Sequence, residues 1–160
     1  MSPRRRIAVC GAGRCDEPTA EVARQVGRLL AASGALLLCG GLGGVMAAAC
    51  RGAHEAGGLT IGLLPGSDPD EANPDVDVPI ATGMGQARNV VLVLSAEAVI
   101  AVGGEAGTLS EIALALKAGR PVIGLGTWRL TRSDGTPESR VRYASTPEEA
   151  VRLALGCPEE

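Results

Sequence analysis

Short apolar runs alternate with amphipathic stretches along the first part of the chain. Apolar residues fill Arg6–Cys10, Ala35–Cys39 and Leu59–Leu63, and such runs, bounded by glycine or polar residues, are typical of buried strands. Between them, apolar residues recur at helical spacing from Pro18 to about Ala32 and from Val45 to about Ala56. The order strand, helix, strand, helix, strand predicts parallel strands joined by right-handed crossovers.

The alternation is interrupted by residues 65–79 and then resumes. This stretch holds four prolines and five acidic residues but no basic residue, so we expect an extended surface loop that is either a lid or a solvated connector. A short strand is predicted at Pro79–Thr82 and a helix from Arg88 to Ala96, although the valines and leucines of the latter would also suit a strand. Ala98–Val102 predicts the next buried strand.

The pattern continues toward the C-terminus. Leu109–Ala118 has the spacing of a helix with an almost wholly apolar face, which predicts packing inside the fold or at a subunit interface. Pro121–Leu125 predicts a further strand, and the polar residues from Thr127 onward predict a loop with a turn at Asp134-Gly135. The last helix is predicted to begin at Thr146-Pro147-Glu148-Glu149, a capping box with proline at the first helical position.

Composition narrows the fold class. Hydrophobic residues make up 46% of the 160 residues but aromatic residues only 1%, so the core is built from small aliphatic side chains. Such side chains suit helices packed closely on a parallel sheet. We therefore predict one domain spanning residues 1–160, with a Rossmann-like three-layer α/β/α fold and a mostly parallel sheet.

Charge and cysteine content exclude several classes of function. The net charge is −3 and the calculated pI is about 5.3, so we expect no nucleic-acid partner. The basic run Arg4–Arg6 is followed by no signal-like apolar region and no stretch of about 18 apolar residues exists, which predicts a cytoplasmic protein with no membrane partner. Five scattered cysteines and one histidine predict reduced thiols and no metal site.

Glycine is the informative excess, with 23 residues, about twice the usual share. Residues 38–44 and 102–108 share one design, in which a buried strand runs through a glycine-rich turn into the start of a helix. Glycine lets backbone N–H groups converge, and a helix start adds unpaired donors and partial positive charge, so each segment predicts an anion site. Both are expected at one edge of the sheet. Gly11-Ala12-Gly13-Arg14 is a weaker third candidate.

Neither of the better-known phosphate motifs is present. A Walker loop needs Gly-Lys-Ser/Thr, whereas the only lysine is Lys117, in the predicted middle of a helix. The dinucleotide spacing of three glycines is absent after the first strand, where Arg14 and Cys15 follow Gly13.

Two charged residues next to these loops each have two interpretations. Glu111 closes a capping box with Thr108, which is the interpretation we favour from the residues alone, yet a carboxylate there could also face a bound ribose. Arg88 follows a flexible glycine pair and precedes an apolar run, so it enters the core. A guanidinium in that position needs an anionic partner, either a phosphate or a carboxylate.

Several of these segments in combination resemble the LOG-like superfamily, long mislabelled as lysine decarboxylases. The resemblance covers nearly the whole chain, and its motifs are Gly40–Ala49, Gly52-Ala53, Gly57-Gly58, Gly83–Asn89 and Gly104–Glu111. The branch most similar to the chain is that of the molybdenum cofactor carrier proteins. The second is that of the cytokinin-activating phosphoribohydrolases, which cleave the N-glycosidic bond of a nucleoside 5′-monophosphate.

The resemblance implies a Rossmann-like fold, a homodimer or homotetramer, and a ligand phosphate on Gly103–Thr108. In the hydrolase branch it also implies catalytic roles for Arg88 and Glu111, which would stabilise an oxocarbenium-like ribose while water attacks. Lysine decarboxylation is not expected, because Lys117 would have to leave an apolar helix face. The chain departs from the hydrolase motif at Gly103 in place of proline, Glu105 in place of glycine, Asn89 in place of a basic residue and Gln86 in place of histidine.

These departures favour binding over hydrolysis, since Glu105 sets a carboxylate inside an anion loop. We therefore predict a binding protein for a phosphorylated, nucleotide-like small molecule, with the molybdenum cofactor or a nucleotide as cargo and no required cofactor. The alternatives are a phosphoribohydrolase and a nucleotide-sensing oligomer. The predicted ligand-binding residues are Gly11, Gly13, Gly40, Gly41, Gly43, Gly44, Met46, Arg88, Asn89, Gly103, Gly104, Glu105, Ala106, Gly107 and Thr108.

Overall fold

The computed structural model describes residues 3–157 and contains one seven-stranded sheet in which every neighbouring pair of strands is parallel. The strands lie in the order β4-β3-β2-β1-β5-β6-β7. Their bounds are β1 Arg6–Gly11, β2 Leu36–Cys39, β3 Thr60–Leu64, β4 Val78–Ala81, β5 Ala98–Val102, β6 Val122–Leu125 and β7 Val141–Ala144. The helices are α1 Glu17–Ala32, α2 Val45–Glu55, α3 Arg88–Ser95, α4 Ala106–Lys117 and α5 Pro147–Ala154.

The helices cover both faces of the sheet, which confirms the predicted Rossmann-like α/β fold. On one face α1 packs against α2 and α5, and on the other α3 packs against α4. Alternate residues of β1 point to opposite layers, so Ile7 and Val9 join the first core cluster while Ala8 and Cys10 join the second. Because β5 is buried along its whole length, the centre of the sheet is dry on both sides.

A topological switch point lies between β1 and β5. The chain leaves β1 through α1 toward β2 on one side, whereas β5 is followed by α4 on the opposite face. At such a point the loops after the two strands separate, which opens a crevice at the carboxyl edge of the sheet.

The acidic segment joins β3 to β4 without an α-helix, through a 3₁₀ turn at Pro69–Glu71. Its far end is fastened to the sheet, because the Thr60 backbone N–H donates to Asp77 Oδ2 at 2.9 Å. The Asn73 backbone N–H donates to the Gly41 carbonyl oxygen at 2.9 Å. These bonds hold the segment as a connector beside the loop that follows β2.

Two elements differ from the predicted pattern. Helix α4 begins at Ala106, three residues before the predicted start, so Gly107 and Thr108 belong to its first turn rather than to a loop. Strand β7 was not predicted, because only its two end residues, Val141 and Ala144, are buried and its sequence Val-Arg-Tyr-Ala carries no continuous apolar run. Lys117 is the last residue of α4 rather than a residue at its middle.

Within residues 3–157 no helix is long and apolar enough to cross a membrane. The same residues contain no group of three or more His, Cys, Asp or Glu side chains arranged to hold a metal ion.

Candidate functional site

An open cleft of about 560 Å³ lies at the carboxyl edge of the sheet, at the switch point between β1 and β5. It is bordered by the loop after β1, the starts of α2 and α4, and the start of α3. The lining residues are Gly11, Ala12, Gly13, Arg14, Leu42, Gly43, Met46, Gln86, Arg88, Asn89, Glu105, Gly107, Thr108 and Glu111.

The helices that border this cleft lack side-chain N-caps. Helices α2, α3 and α4 have Gly44, Ala87 and Glu105 at their N-cap positions, and none of these side chains accepts a hydrogen bond from the helix. By contrast, Asp16 caps α1 and Thr146 caps α5, both away from the cleft. The positive ends of three helix dipoles therefore lie at the cleft without a side-chain cap, while the first amides of α2 and α3 are bonded to the backbone carbonyl oxygens of Ala12 and Gly85.

Three buried polar side chains line the cleft with a polar atom that has no hydrogen-bond partner among the described residues. They are Arg88 through Nε, Asn89 through Oδ1 and Thr108 through Oγ1. Asn89 and Thr108 are 3% and 2% exposed, so bulk water does not supply the missing hydrogen bond to either side chain. Unsatisfied buried polar groups are costly, and their clustering at one cleft indicates a place for a polar ligand.

Arg88 is held by neutral oxygens rather than by an anion. Its Nη1 donates to the carbonyl oxygens of Gly40 at 2.5 Å and Leu63 at 2.6 Å. No carboxylate of the described residues lies within ion-pair distance of it, so of the two predicted partners, a carboxylate of the protein is not found and a ligand phosphate stays a prediction. Burial lowers the pKa of Arg88, and the nearby charge of Glu111 opposes that effect.

Glu111 lies in the floor of the cleft and caps nothing. The preferred interpretation as a capping-box residue is wrong, because α4 starts before Thr108 and no side chain caps it. Burial raises the pKa of the Glu111 carboxyl to about 7, against the lowering effects of a hydrogen bond with the Cys10 thiol and of the Arg88 charge. Burial likewise raises the pKa of Cys10, and Glu111 raises it further.

The glycine segment after β2 divides into two roles. Gly43 lines the cleft, but Gly40, Gly41 and Gly44 do not. A Cβ on Gly40 would lie 2.6 Å from Arg88 Nη1, so the absent side chain leaves room for the guanidinium. Gly41 and Gly44 have positive φ and lie against Leu64 and the loop after β1, respectively. At Gly40, where an anion was predicted to bind, the structure therefore places the guanidinium of Arg88.

The segment after β5 is also divided. Glu105, Gly107 and Thr108 line the cleft, whereas Gly103, Gly104 and Ala106 do not. Gly104 has a φ of +102° and lies against the Thr108 side chain, so its role is conformational. A Cβ on Gly107 would meet nothing within 4 Å and would extend into open space at the cleft.

The remaining predicted residues, Gly11, Gly13 and Met46, do line the cleft. Five further lining residues were not among those predicted to bind ligand, namely Ala12, Arg14, Leu42, Gln86 and Glu111, of which Glu111 was predicted only as a catalytic residue. Three of them lie within the glycine segments, so a window around each glycine, rather than the glycines alone, would have included them. Gln86 reaches the cleft from the 3₁₀ turn Gly85–Ala87 before α3, so its place next to Gly85, within the motif Gly83–Asn89, was the signal for it.

Comparison with known proteins places the chain among relatives of similar length. A protein of Archaeoglobus fulgidus is 46% identical over 149 residues, which cover 93% of each chain. The structure of the molybdenum cofactor binding protein from Rippkaea orientalis superposes with a TM-score of 0.88 at 40% identity, over 98% of both chains. The molybdenum cofactor carrier protein of Chlamydomonas reinhardtii gives a TM-score of 0.82 at 36% identity, over 96% of this chain and 98% of that chain.

These similarities confirm the resemblance to the LOG-like superfamily and to its molybdenum cofactor carrier branch. The model of the SLOG cluster4 family matches residues 4–151, which is nearly the whole chain. The protein therefore belongs to the SLOG cluster4 family.

Proposed function

We propose that the cleft between β1 and β5 binds a phosphorylated, nucleotide-like small molecule, and that the protein holds it as cargo. The observation that carries this proposal is the set of unpartnered polar atoms on Arg88, Asn89 and Thr108, three buried residues that all line the cleft. A ligand with oxygen and nitrogen atoms on its surface would satisfy them.

The phosphate of such a ligand suits the starts of α2 and α4. Both helices lack a side-chain cap, and the amides of Gly107 and Thr108 belong to the first turn of α4. Glu105, at the N-cap of α4, is exposed, so its carboxylate stays hydrated at the cleft rim instead of being forced against the anion. Arg14 adds a cation at the opposite rim.

The molybdenum cofactor is the cargo we infer, because the similar proteins of Rippkaea orientalis and Chlamydomonas reinhardtii bind and carry it, respectively. It is a phosphorylated pterin, whose ring edge presents hydrogen-bond donors and acceptors. Asn89 and Thr108 offer the complementary polar atoms. We further propose a cytoplasmic protein of one domain that neither enters membranes nor binds nucleic acid.

The proposal is tested by titrating the protein with molybdenum cofactor under anaerobic conditions and measuring the dissociation constant. Thr108→Val keeps the side-chain shape but removes the unpartnered hydroxyl, and we expect binding to weaken about tenfold while the melting temperature changes little. Gly107→Val fills the open space at the cleft and should weaken binding more strongly. Thr131→Val, at an exposed position away from the cleft, is the matched control.

If binding is saturable but both cleft variants bind as tightly as the wild type, the ligand binds outside the cleft and the proposed site is wrong. Absence of binding to the wild-type protein would refute the cargo assignment itself.

A phosphoribohydrolase is the second candidate, because one observation favours it. Glu111 is a buried carboxyl with a pKa of about 7 that lines the cleft on the same side as Arg88. A carboxyl poised near neutral pH is suited to proton transfer. Incubation with AMP and detection of free adenine tests this alternative, and release of base that Glu111→Gln abolishes would establish hydrolysis over simple carriage.

A further inference from the structure

Cys39 and Cys50 form a pair of buried thiols that the proposed function does not use. Cys39 is the last residue of β2, Cys50 lies on α2, and their Sγ atoms are 3.4 Å apart. Both side chains are fully buried, and neither is in a disulfide. Cys157, by contrast, is exposed and distant from the sheet's carboxyl edge.

The hydrogen bonds around the pair shift the pKa values of the two thiols in opposite directions. Cys50 shares a hydrogen bond with Cys39, and the Gly41 backbone N–H donates to Cys39 Sγ at 3.3 Å. The bond from Cys50 is the larger influence that lowers the pKa of Cys39, against the effect of burial, and the charge of Arg88 adds to the lowering. The same bond and burial raise the pKa of Cys50. Cys39 is therefore the sulfur that more readily becomes a thiolate.

The pair lies directly behind the wall of the cleft. Gly41, which bonds to Cys39, belongs to the loop of residues 40–44 that supplies Leu42 and Gly43 to the lining. The Asn73 side chain donates to the Leu42 carbonyl oxygen at 2.9 Å and also contributes a hydrogen bond at Cys50. The Gly40 carbonyl oxygen accepts from Arg88. A movement of either sulfur atom would therefore disturb the loop of residues 40–44 through one or two hydrogen bonds.

We propose that Cys39 and Cys50 are a site of reversible oxidation, which a peroxide converts to a disulfide that rearranges the loop of residues 40–44. The Cys39 thiolate attacks one peroxide oxygen, the O–O bond breaks, and hydroxide leaves while Cys39 becomes a sulfenic acid. The Cys50 sulfur, on losing its proton, attacks the Cys39 sulfur and expels the second oxygen as hydroxide. With the two thiol protons the hydroxides become two waters, so the peroxide gains the two electrons that the sulfurs lose.

Disulfide formation changes the loop because the sulfurs must close from 3.4 Å to about 2 Å. Cys39 Sγ can then no longer accept the Gly41 N–H in its present geometry. A peroxide is the fitting oxidant, since it is small enough to reach buried sulfurs through local opening of the fold. A thiol reductant reverses the step by exchange.

The experiment uses a Cys157→Ser protein, so that the exposed thiol cannot link two molecules. After treatment with hydrogen peroxide, trypsin cleavage at Arg28 and Arg51 releases residues 29–51 as one peptide with both cysteines. We expect this peptide to be two hydrogens lighter and to regain them with dithiothreitol. Amide exchange in residues 40–44, followed by mass spectrometry, should be about tenfold faster in the oxidised protein.

An additional Cys50→Ser substitution separates the two steps, because Cys39 then stops at the sulfenic acid and is trapped by dimedone. A peptide that stays unchanged, or that only gains oxygen, with both cysteines present would overturn the proposal. A disulfide that leaves exchange in residues 40–44 unaltered would overturn its link to the cleft. Neither measurement requires a ligand, so both are independent of the proposed cargo.

Discussion

Glu111 and Arg88 are the buried charged residues of the cleft, and neither of them holds the other in place. Arg88 is bonded to two backbone carbonyls, and Glu111 is paired with the Cys10 thiol. Because both are 8% exposed, a ligand that enters the cleft meets a rigid cation and a carboxyl near its titration point. The protonation state of Glu111 is therefore the property of this site most sensitive to pH.

This residue gives a signed prediction for stability. The folded pKa of about 7 lies above the ordinary 4.5, so the folded state holds a proton that the unfolded state has lost between these pH values. Stability should therefore fall as pH rises from about 4.5 to 7 and level off above, by an amount on the order of 3 kcal/mol. Glu111→Gln removes this contribution, so the free-energy difference between variant and wild type should grow in the variant's favour across that range.

Urea unfolding of both proteins at about pH 5 and about pH 8 measures the effect, since all other titrating groups cancel in the comparison. Parallel stability profiles for the two proteins would show that burial does not raise the Glu111 pKa.

At the level of elements, the helices fall into two groups: those with a side-chain cap at the N-terminus and those without one, which border the cleft. Helix α5 begins at Thr146, whose Oγ1 accepts from the Glu149 N–H at 3.2 Å, while Glu149 Oε2 accepts from the Ser145 N–H at 2.8 Å. The predicted capping box is thus confirmed at this helix, with the return bond one residue earlier than Thr146. Helices α2, α3 and α4, which border the cleft, have no side-chain cap of this kind, as expected if their N-termini face the proposed ligand.

Thr146→Ala should consequently cost about 1 kcal/mol of stability and leave ligand affinity unchanged. Gly107→Val, at the uncapped α4, should do the reverse, with a large loss of affinity and a small loss of stability. Thermal unfolding and ligand titration of the two variants side by side test this division. If Thr146→Ala weakened ligand binding, the N-terminus of α5 would be energetically coupled to the cleft, and this division would be refuted.

Most elements were predictable from the sequence because glycine and proline mark their ends. Helix α1 ends just before Ser33-Gly34, and helix α2 lies between Gly44 and Gly57, close to the predicted bounds. The start of α4 was not predictable, because glycine at position 107 disfavours a helix locally and only packing draws it into the first turn. The same early start moved Glu111 from a cap to the cleft floor.

The candidate site was predictable in its location but not in its internal contacts. Glycine-rich strand ends in a parallel sheet identify the edge at which the cleft lies, and Gly13, Gly43 and Gly107 do line it. The pattern could not reveal that Gly40 makes room for Arg88, since that contact joins residues 48 positions apart. Steric and ligand-binding glycines look alike in sequence and differ only in what lies opposite them.

For the whole molecule, association of subunits stays a prediction. Val90 and Leu94 on α3 are exposed by 41% and 53% and share an apolar groove with Leu114 on α4. We expect these side chains to be covered in the homodimer or homotetramer that the resemblance implies. Leu94→Glu should lower the mass measured by sedimentation equilibrium to that of one 16.1 kDa chain. A wild-type protein that already sediments as one chain would refute the expectation.

We propose that the cleft at the switch point between β1 and β5 binds a phosphate-bearing ligand. The most direct test of this proposal is the change in backbone amide chemical shifts when the protein is titrated with molybdenum cofactor. We expect the largest chemical-shift changes at the amides of four residues that border the cleft, namely Gly13, Gly43, Gly107 and Thr108. Changes confined to the separate cavity beside Gly126 and Ser145, on the far side of β5, would contradict it.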